Sequence, residues 1–426
     1  MDTGIGRGKG GEGIVDRRER WSAEFAGHAR EFGLRFGSGQ PPRIFFSPGR
    51  VNLMGAHLDY NGGPVMPTAI DRGTFIALRT RADDRLRFAS TLEPTSLETD
   101  LSGARFERSG RWVDYPLGVV LEVLELARRR GWARDFRGLE VLFGGNLAVG
   151  AGLSSSASIC VGTAFALAVA WELPLDRMDI VHAALRAERG FVGVRCGIMD
   201  PYAIGLAQVD RLLWLDCKDA TNEYLPFGAG GLSIAVADTH VRRKLAQVAF
   251  NERVEQCRLA FEGLQPSQPD ATCLRDIRLD TLRSVGGKLD PVAVKRAEHV
   301  IREVERTFTA RRALMDGDPR TFGRQMFLAH ASLRDLFEVS VPELDRIVES
   351  AAACEGVLGA RLTGAGFGGC VVMLLETAAG PGVRHRVVSD FERVFGRKPS
   401  IEIFGGDAGP REIAGPLADG GKGLGD

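Results

Sequence analysis

Apolar side chains alternate with polar ones at residues 74–79 and 86–90, the period of antiparallel strands with one face in a core. Short apolar runs at 43–46, 139–143, 211–216, 232–237 and 370–375 read as further strands. Residues 21–32 and 179–187 fit a helical period. The stretch 157–171 is apolar nearly all round, which predicts a helix buried in a core rather than lying on a surface. From residue 242 onward the pattern changes to long charged amphipathic helices at 246–263, 292–314 and 321–333. The chain is therefore expected to be α+β with two lobes, 16–230 and 231–413, between disordered segments at 1–15 and 414–426. Both segments are rich in Gly and charged residues, and no repeat of fixed period is visible.

Composition narrows the function. The 426 residues hold 55 basic and 55 acidic side chains, so bulk charge gives no footprint for nucleic acid or membrane. Any anion must be caught locally. Seven scattered cysteines without a C-x-x-C pair indicate neither a zinc site nor a disulfide framework, and fit a reducing cytosol. The apolar stretch 157–171 is too short to span a bilayer, and residues 1–13 lack the apolar core of a secretion signal. These features predict a cytoplasmic enzyme.

Two glycine clusters carry candidate chemistry. Gly150-Ala151-Gly152-Leu153-Ser154-Ser155-Ser156 lies between a predicted strand and the buried helix. Glycines let backbone N–H groups converge, serines add hydroxyls, and the helix turns its positive end to the same place. That is a cradle for the phosphates of ATP. A flexible linker of the same composition would not abut a wholly apolar helix. No G-x-x-x-x-G-K-[ST] occurs, which disfavours P-loop folds. The second cluster, Gly364-Ala365-Gly366-Phe367-Gly368-Gly369, formally matches G-x-G-x-x-G. It is followed by a predicted strand rather than a helix, so it is not a dinucleotide fingerprint; it reads as the wall of a ligand cleft, with a plain tight turn as the alternative.

The run Ser-Pro-Gly-Arg-Val-Asn-Leu-Met-Gly-Ala-His-Leu-Asp-Tyr-Asn-Gly-Gly at 47–63 resembles the N-terminal signature of galactokinases, within the GHMP kinase superfamily. The two glycine clusters resemble that family's second and third motifs. Trp112-Val113-Asp114-Tyr115, Gly118, Glu188 and Cys196-Gly197-Ile198-Met199-Asp200 match between them, so the resemblance runs in order from about 43 to about 410. It implies a two-lobed fold, with an N-terminal lobe like a ribosomal-protein domain, a ferredoxin-like C-terminal lobe, and the active site between.

The resemblance also implies roles. Asp200 and Arg50 correspond to the catalytic pair. A helix N-cap before Pro201 is the structural alternative for Asp200. Gly150, Gly152, Ser154, Ser155 and Ser156 are expected on ATP phosphates, with Trp112 and Tyr115 near the adenine or else in core packing. Ser156 and Glu188 match the positions that hold Mg2+. Arg50, Ala56, His57, Asp59, Asp200, Phe250 and Arg243 fall to the sugar. The expected partners are ATP and a small sugar phosphorylated on its anomeric hydroxyl, for a monomer or weak homodimer that binds neither nucleic acid nor membrane.

Four positions depart from the family pattern. Ala56 stands where galactokinases carry a glutamate expected on the sugar's 6-hydroxyl, a loss of about 1–3 kcal/mol toward galactose. Phe250 replaces a tyrosine, Arg243 a histidine and Arg195 a common proline. A sugar bearing a carboxylate at carbon 6, such as D-galacturonate, would escape like-charge repulsion at Ala56 and meet extra cations. Plant galacturonate kinases have a similar Gly-Ala-His sequence. A non-catalytic sugar sensor is the alternative from another class, disfavoured by the intact Ser154, Ser155 and Ser156, Asp200 and Arg50.

Overall fold

The computed structural model describes residues 17–101, 106–132, 136–148, 150–227, 231–242 and 246–414. Arg243, residues 1–15 and residues 415–426 lie outside them. In chain order the strands are β1 Arg43–Asn52, β2 Pro64–Val65, β3 Pro67–Thr80, β4 Arg85–Ser90, β5 Leu97–Asp100, β6 Leu139–Gly145, β7 Arg211–Asp216, β8 Thr221–Pro226, β9 Leu232–Asp238, β10 Val357–Thr363, β11 Cys370–Glu376, β12 Ser400–Phe404 and β13 Arg411–Ala414. The helices are α1 Arg17–Phe36, α2 Asp114–Arg129, α3 Ser155–Ala170, α4 Arg177–Arg186, α5 Met199–Gly205, α6 Ala246–Leu264, α7 Leu279–Val285, α8 Pro291–Met315, α9 Pro319–Asp335, α10 Pro342–Ala352 and α11 Gly380–Phe395.

The first sheet has the order β13-β1-β3-β6-β4-β5. The two alternating segments found in the sequence, β3 and β4, run antiparallel but are not neighbours. β6 inserts between them, antiparallel to β3 and parallel to β4. Helix α3 lies against this sheet so closely that a Cβ on Gly162 would stand 2.7 Å from Ser47 Cβ. Ala157, Cys160, Val161, Ala164 and Leu167 fill the core there, as the all-round apolar pattern requires.

The second sheet has the order β10-β11-β9-β12, every pair antiparallel. With α11 linking β11 to β12, this is the ferredoxin-like arrangement. Its core gathers Ala297 and Val300 of α8, Leu333 of α9 and Phe391 of α11. A small sheet, β2-β7-β8, stands apart from both. The division of the chain near residue 230 is our proposal, and the last strand crosses it. β13 pairs with β1 in the first sheet, so Ala414, expected in a disordered tail, is a strand residue.

Candidate active site

Arg50 sits near the end of β1, 4% exposed. Its Nε and Nη2 each donate to an Asp200 carboxylate oxygen at 2.8 Å, two parallel charge-assisted bonds, and its Nη1 donates to the Gly152 carbonyl at 2.7 Å. The Arg50 backbone N–H donates to Leu153 O at 3.1 Å, tying the signature strand to the Gly-Ser turn. Asp200 is not a helix cap. Ile198 occupies the N-cap of α5 without a side-chain bond, and Asp200, in the first turn, turns its carboxylate to Arg50 and to the Ser154 hydroxyl.

The Gly-Ser turn shows why its residue types are needed. Gly150 and Gly152 have φ of +71° and +80°, and Ser154 follows at +61°, in the left-handed region, before α3 begins at Ser155. A Cβ on Gly364 would stand 2.8 Å from Gly152 Cα, so the two glycine clusters face each other at close range. The second cluster is the turn between antiparallel β10 and β11. Ser154, expected on a phosphate, here commits its hydroxyl to Asp200.

The candidates converge on one cavity of about 360 Å³. Arg50, Asp200, Gly150, Gly152, Ser154, Ser155, Ser156 and Glu188 line one part of it. Ala56, His57, Asp59 and Phe250 line the rest, together with Arg361 of β10. Trp112 is elsewhere. With Tyr115 it lines a second cavity of about 450 Å³, which shares Val194 with the first. Its ring meets Phe143 edge-on at 5.6 Å, and its buried Nε1 has no hydrogen-bond partner among the described residues. Arg195 is exposed and outside the cavity, where its charge acts on Glu255.

Three carboxylates crowd one guanidinium. Glu188 is carried by a π-helical segment, Ala187–Val192, continuing α4. Such segments re-aim side chains at functional sites. Burial raises its pKa to about 7; a Ser156 hydrogen bond opposes the rise and the Asp200 charge adds to it. Asp59 is raised to about 6 by burial and then by Asp200. Its carboxylate presses on Gly197, where a Cβ would come within 1.8 Å of Oδ2. His57 is held neutral, its pKa lowered to about 3 by burial and by the charges of Arg361 and Arg253. Its Nδ1 meets Tyr60 Oη at 2.9 Å, and its ring stands 6.0 Å from that of Phe250.

The elevated Glu188 pKa has a stability consequence. Between about pH 4.5, its ordinary value, and pH 7 the folded chain binds a proton that the unfolded chain does not, so stability falls as pH rises through that window. Glu188→Gln should remove this penalty. At pH 8 the variant is expected to unfold later than the parent by roughly 2–3 kcal/mol, and at pH 4 to show little difference. Urea denaturation of both proteins at the two pH values checks this.

Sequence reading missed several groups around the site. Arg361, 1% exposed, donates to the Asn52 and Leu53 carbonyls at 2.5 and 2.8 Å, and Glu303 of α8 accepts from the Gly55 and Ala56 amides. Nothing local marks residues so far along the chain as partners of the signature. Arg242, paired with Asp238 at 2.6 Å, stands beside Gly150, where a Cβ would lie 3.5 Å from its Nε. Among the described residues no group of three His, Cys, Asp or Glu side chains is placed to hold a metal, and no helix is long and apolar enough to cross a membrane.

Comparison with known proteins places this geometry. The galactokinase galactose-binding signature matches residues 30–80, the GHMP kinase N-terminal domain 115–208 and the GHMP kinase C-terminal domain 310–392. A mevalonate kinase structure from Methanococcus jannaschii superposes with a TM-score of 0.63 over 87% of this chain and all of its own, at 19% identity. The fold is thus that of the GHMP kinases. A Lactococcus lactis galactokinase complexed with galactose superposes with a TM-score of 0.85 at 32% identity, covering 92% of this chain and 100% of its own. Galactokinases of Clostridium tetani and Streptococcus suis are 36% and 39% identical, spanning 87% and 85% of this chain and 93% of each relative. The chain belongs to the galactokinase family.

Proposed function

We propose that this protein is an ATP-dependent sugar 1-kinase that transfers the terminal phosphoryl group of ATP directly to the anomeric hydroxyl of galactose or of a relative altered at carbon 6. One observation carries the reading: a carboxylate–guanidinium couple, Asp200 and Arg50, is bonded directly to a Gly-Ser turn at the N-terminus of a buried helix. Phosphoryl transfer needs a positioned hydroxyl, neutralised phosphate charge and a group to attract the hydroxyl proton. Asp200 attracts that proton from the attacking oxygen. Arg50 keeps the carboxylate oriented and offsets negative charge that grows on the transferred group. Backbone N–H groups of the turn and the hydroxyls of Ser155 and Ser156 receive the phosphates. The second cavity, with Trp112 and Tyr115, suits the adenine, because it adjoins the first at Val194.

Ser156 and Glu188 fit Mg2+. The ion favours few protein oxygens beside phosphate oxygens, and a buried carboxylate whose pKa has risen to about 7 gains most from a cation. When bound, Mg2+ would neutralise phosphate charge. On the sugar side Asp59 and His57 offer an acceptor and a neutral imidazole to ring hydroxyls, and the Phe250 ring gives an apolar wall. Gly197→Ala would drive a methyl into Asp59 and is expected to raise the sugar KM about tenfold or more, with a smaller change for ATP. Steady-state kinetics with each substrate varied in turn reads this.

Within this reading we favour D-galacturonate over galactose as the acceptor. Ala56 lines the cavity at the position where the family's glutamate would add a carboxylate that repels an acidic carbon 6. The deciding experiment is kcat/KM for galactose, D-galacturonate and L-arabinose. A preference for galacturonate is expected, and Ala56→Glu should reverse it toward galactose. A clear galactose preference in the parent protein removes the galacturonate reading and leaves the kinase. A sensor that binds sugar without turnover would produce no ADP with any of the three.

A further inference from the structure

The backbone between Asn52 and Ala56 bonds to Met66 and Leu58 of its own lobe and is gripped a second time from the second lobe. Arg361 of β10 donates to the carbonyls of Asn52 and Leu53. Glu303 of α8, with no exposed surface, accepts from the Gly55 and Ala56 amides through one oxygen, Oε1, at 3.2 and 3.1 Å. Its other oxygen takes the Arg306 Nε at 2.7 Å. One turn earlier on the same helix, the fully buried His299 meets the Ala56 carbonyl through Nε2 at 3.3 Å and Ser332 Oγ through Nδ1 at 2.8 Å. A carbonyl only accepts, so Nε2 carries the proton and Nδ1 accepts from the serine. Burial keeps this imidazole neutral, its pKa lowered to about 3.

Both polar backbone groups of Ala56 are therefore committed to one face of α8. The loop they belong to needs such a hold. Gly55 has φ of +86°, with Pro64 O only 2.3 Å from where a Cβ would be, and His57 has φ of +59°, a conformation that a residue with a Cβ adopts at a cost. Strained backbone persists where the surroundings over-determine it. Ala56, His57 and Asp59, which follow the gripped amides directly, all face the cavity.

We infer that Glu303 and His299 of α8 are positioning residues for the sugar, fixing the backbone at Gly55 and Ala56 and through it the placement of His57 and Asp59. Neither touches the cavity; they act through the loop. The inference rests on the sugar-kinase reading for the identity of the ligand, and assigns the second lobe a part in acceptor binding. The hold is made between residues of the two lobes.

The test is calorimetric binding of galactose and of D-galacturonate without ATP, followed by KM for each substrate. Glu303→Gln retains an acceptor but loses the charge. It is expected to weaken binding of the preferred sugar about tenfold, the size of one charge-assisted hydrogen bond, while the KM for ATP stays within about twofold. Ser332→Ala frees His299 on one side and should weaken sugar binding about twofold to threefold in the same sense. It carries the test should Glu303→Gln fail to fold. Unchanged sugar affinity in a folded variant, or parallel losses for sugar and ATP, would overturn the inference. A parent protein that binds sugar yet forms no ADP would overturn the kinase reading alone, because the binding comparison still stands. A parent that binds neither sugar would overturn both.

Discussion

Asp200→Asn is expected to lower kcat by about a thousandfold while sugar and ATP affinities stay within a few-fold. The amide keeps the shape of the carboxylate and can still accept one bond from Arg50, so α5 and the Gly-Ser turn should hold their places. What is lost is the negative charge that attracts the proton of the attacking hydroxyl, an effect worth about 10² to 10⁴ in rate. A loss confined to kcat and kcat/KM identifies a group that acts in the transition state. Rapid-quench measurement of a single turnover separates chemistry from product release. If the single-turnover rate of Asp200→Asn stayed within tenfold of the parent's, Asp200 would not be the group that handles the proton.

Arg50→Lys is expected to cost nearly as much, for a different reason. Lysine keeps the charge but cannot make two parallel bonds to Asp200 and a third to the Gly152 carbonyl. The rate should fall roughly 10² to 10³-fold, because charge offset on a transferred phosphoryl group is worth ~10³ to 10⁵. The KM for ATP should rise as well, since Arg50 also steadies the turn at Gly152. Arg50→Lys should therefore differ from Asp200→Asn in affecting both kcat and KM. Initial rates over a range of ATP concentrations read the difference.

What the sequence revealed of the site follows from where the chemistry is local. The Gly-Ser turn and the all-apolar α3 are contiguous, so composition and period sufficed to join them. The signature around Arg50 and the segment ending in Asp200 were readable through resemblance, although the bonds between them span 150 positions. Glu188 was legible as a residue type in a matched position, but the π-helical segment that aims it into the cavity left no periodic trace. The Glu303 contacts with the signature loop were invisible, because on an amphipathic helix a buried glutamate reads as one more solvated charge. Trp112 was readable as an aromatic near the nucleotide or in a core. Its edge-on packing against Phe143, beside a cavity of its own, depends on how α2 meets the sheet.

The fold divides in the same way. Local runs located β3, β4, β6, β9 and β11 and the long helices of the second lobe. Their pairing was not local. β6 comes between β3 and β4 although almost 50 residues separate it from β4, and β13 crosses back to β1 from the far end of the chain. Both are non-local pairings whose partners a strand's own pattern does not specify, since alternation reports a buried face and says nothing of which edge is taken.

Phosphorus NMR of the product made from ATP and each of galactose and D-galacturonate tests the central claim most directly. One new phosphate resonance, split by coupling to a single anomeric proton, should grow with ADP in the parent protein and be absent at equal times with Asp200→Asn. Formation of only inorganic phosphate, or of a sugar phosphate lacking the anomeric coupling, would contradict the account.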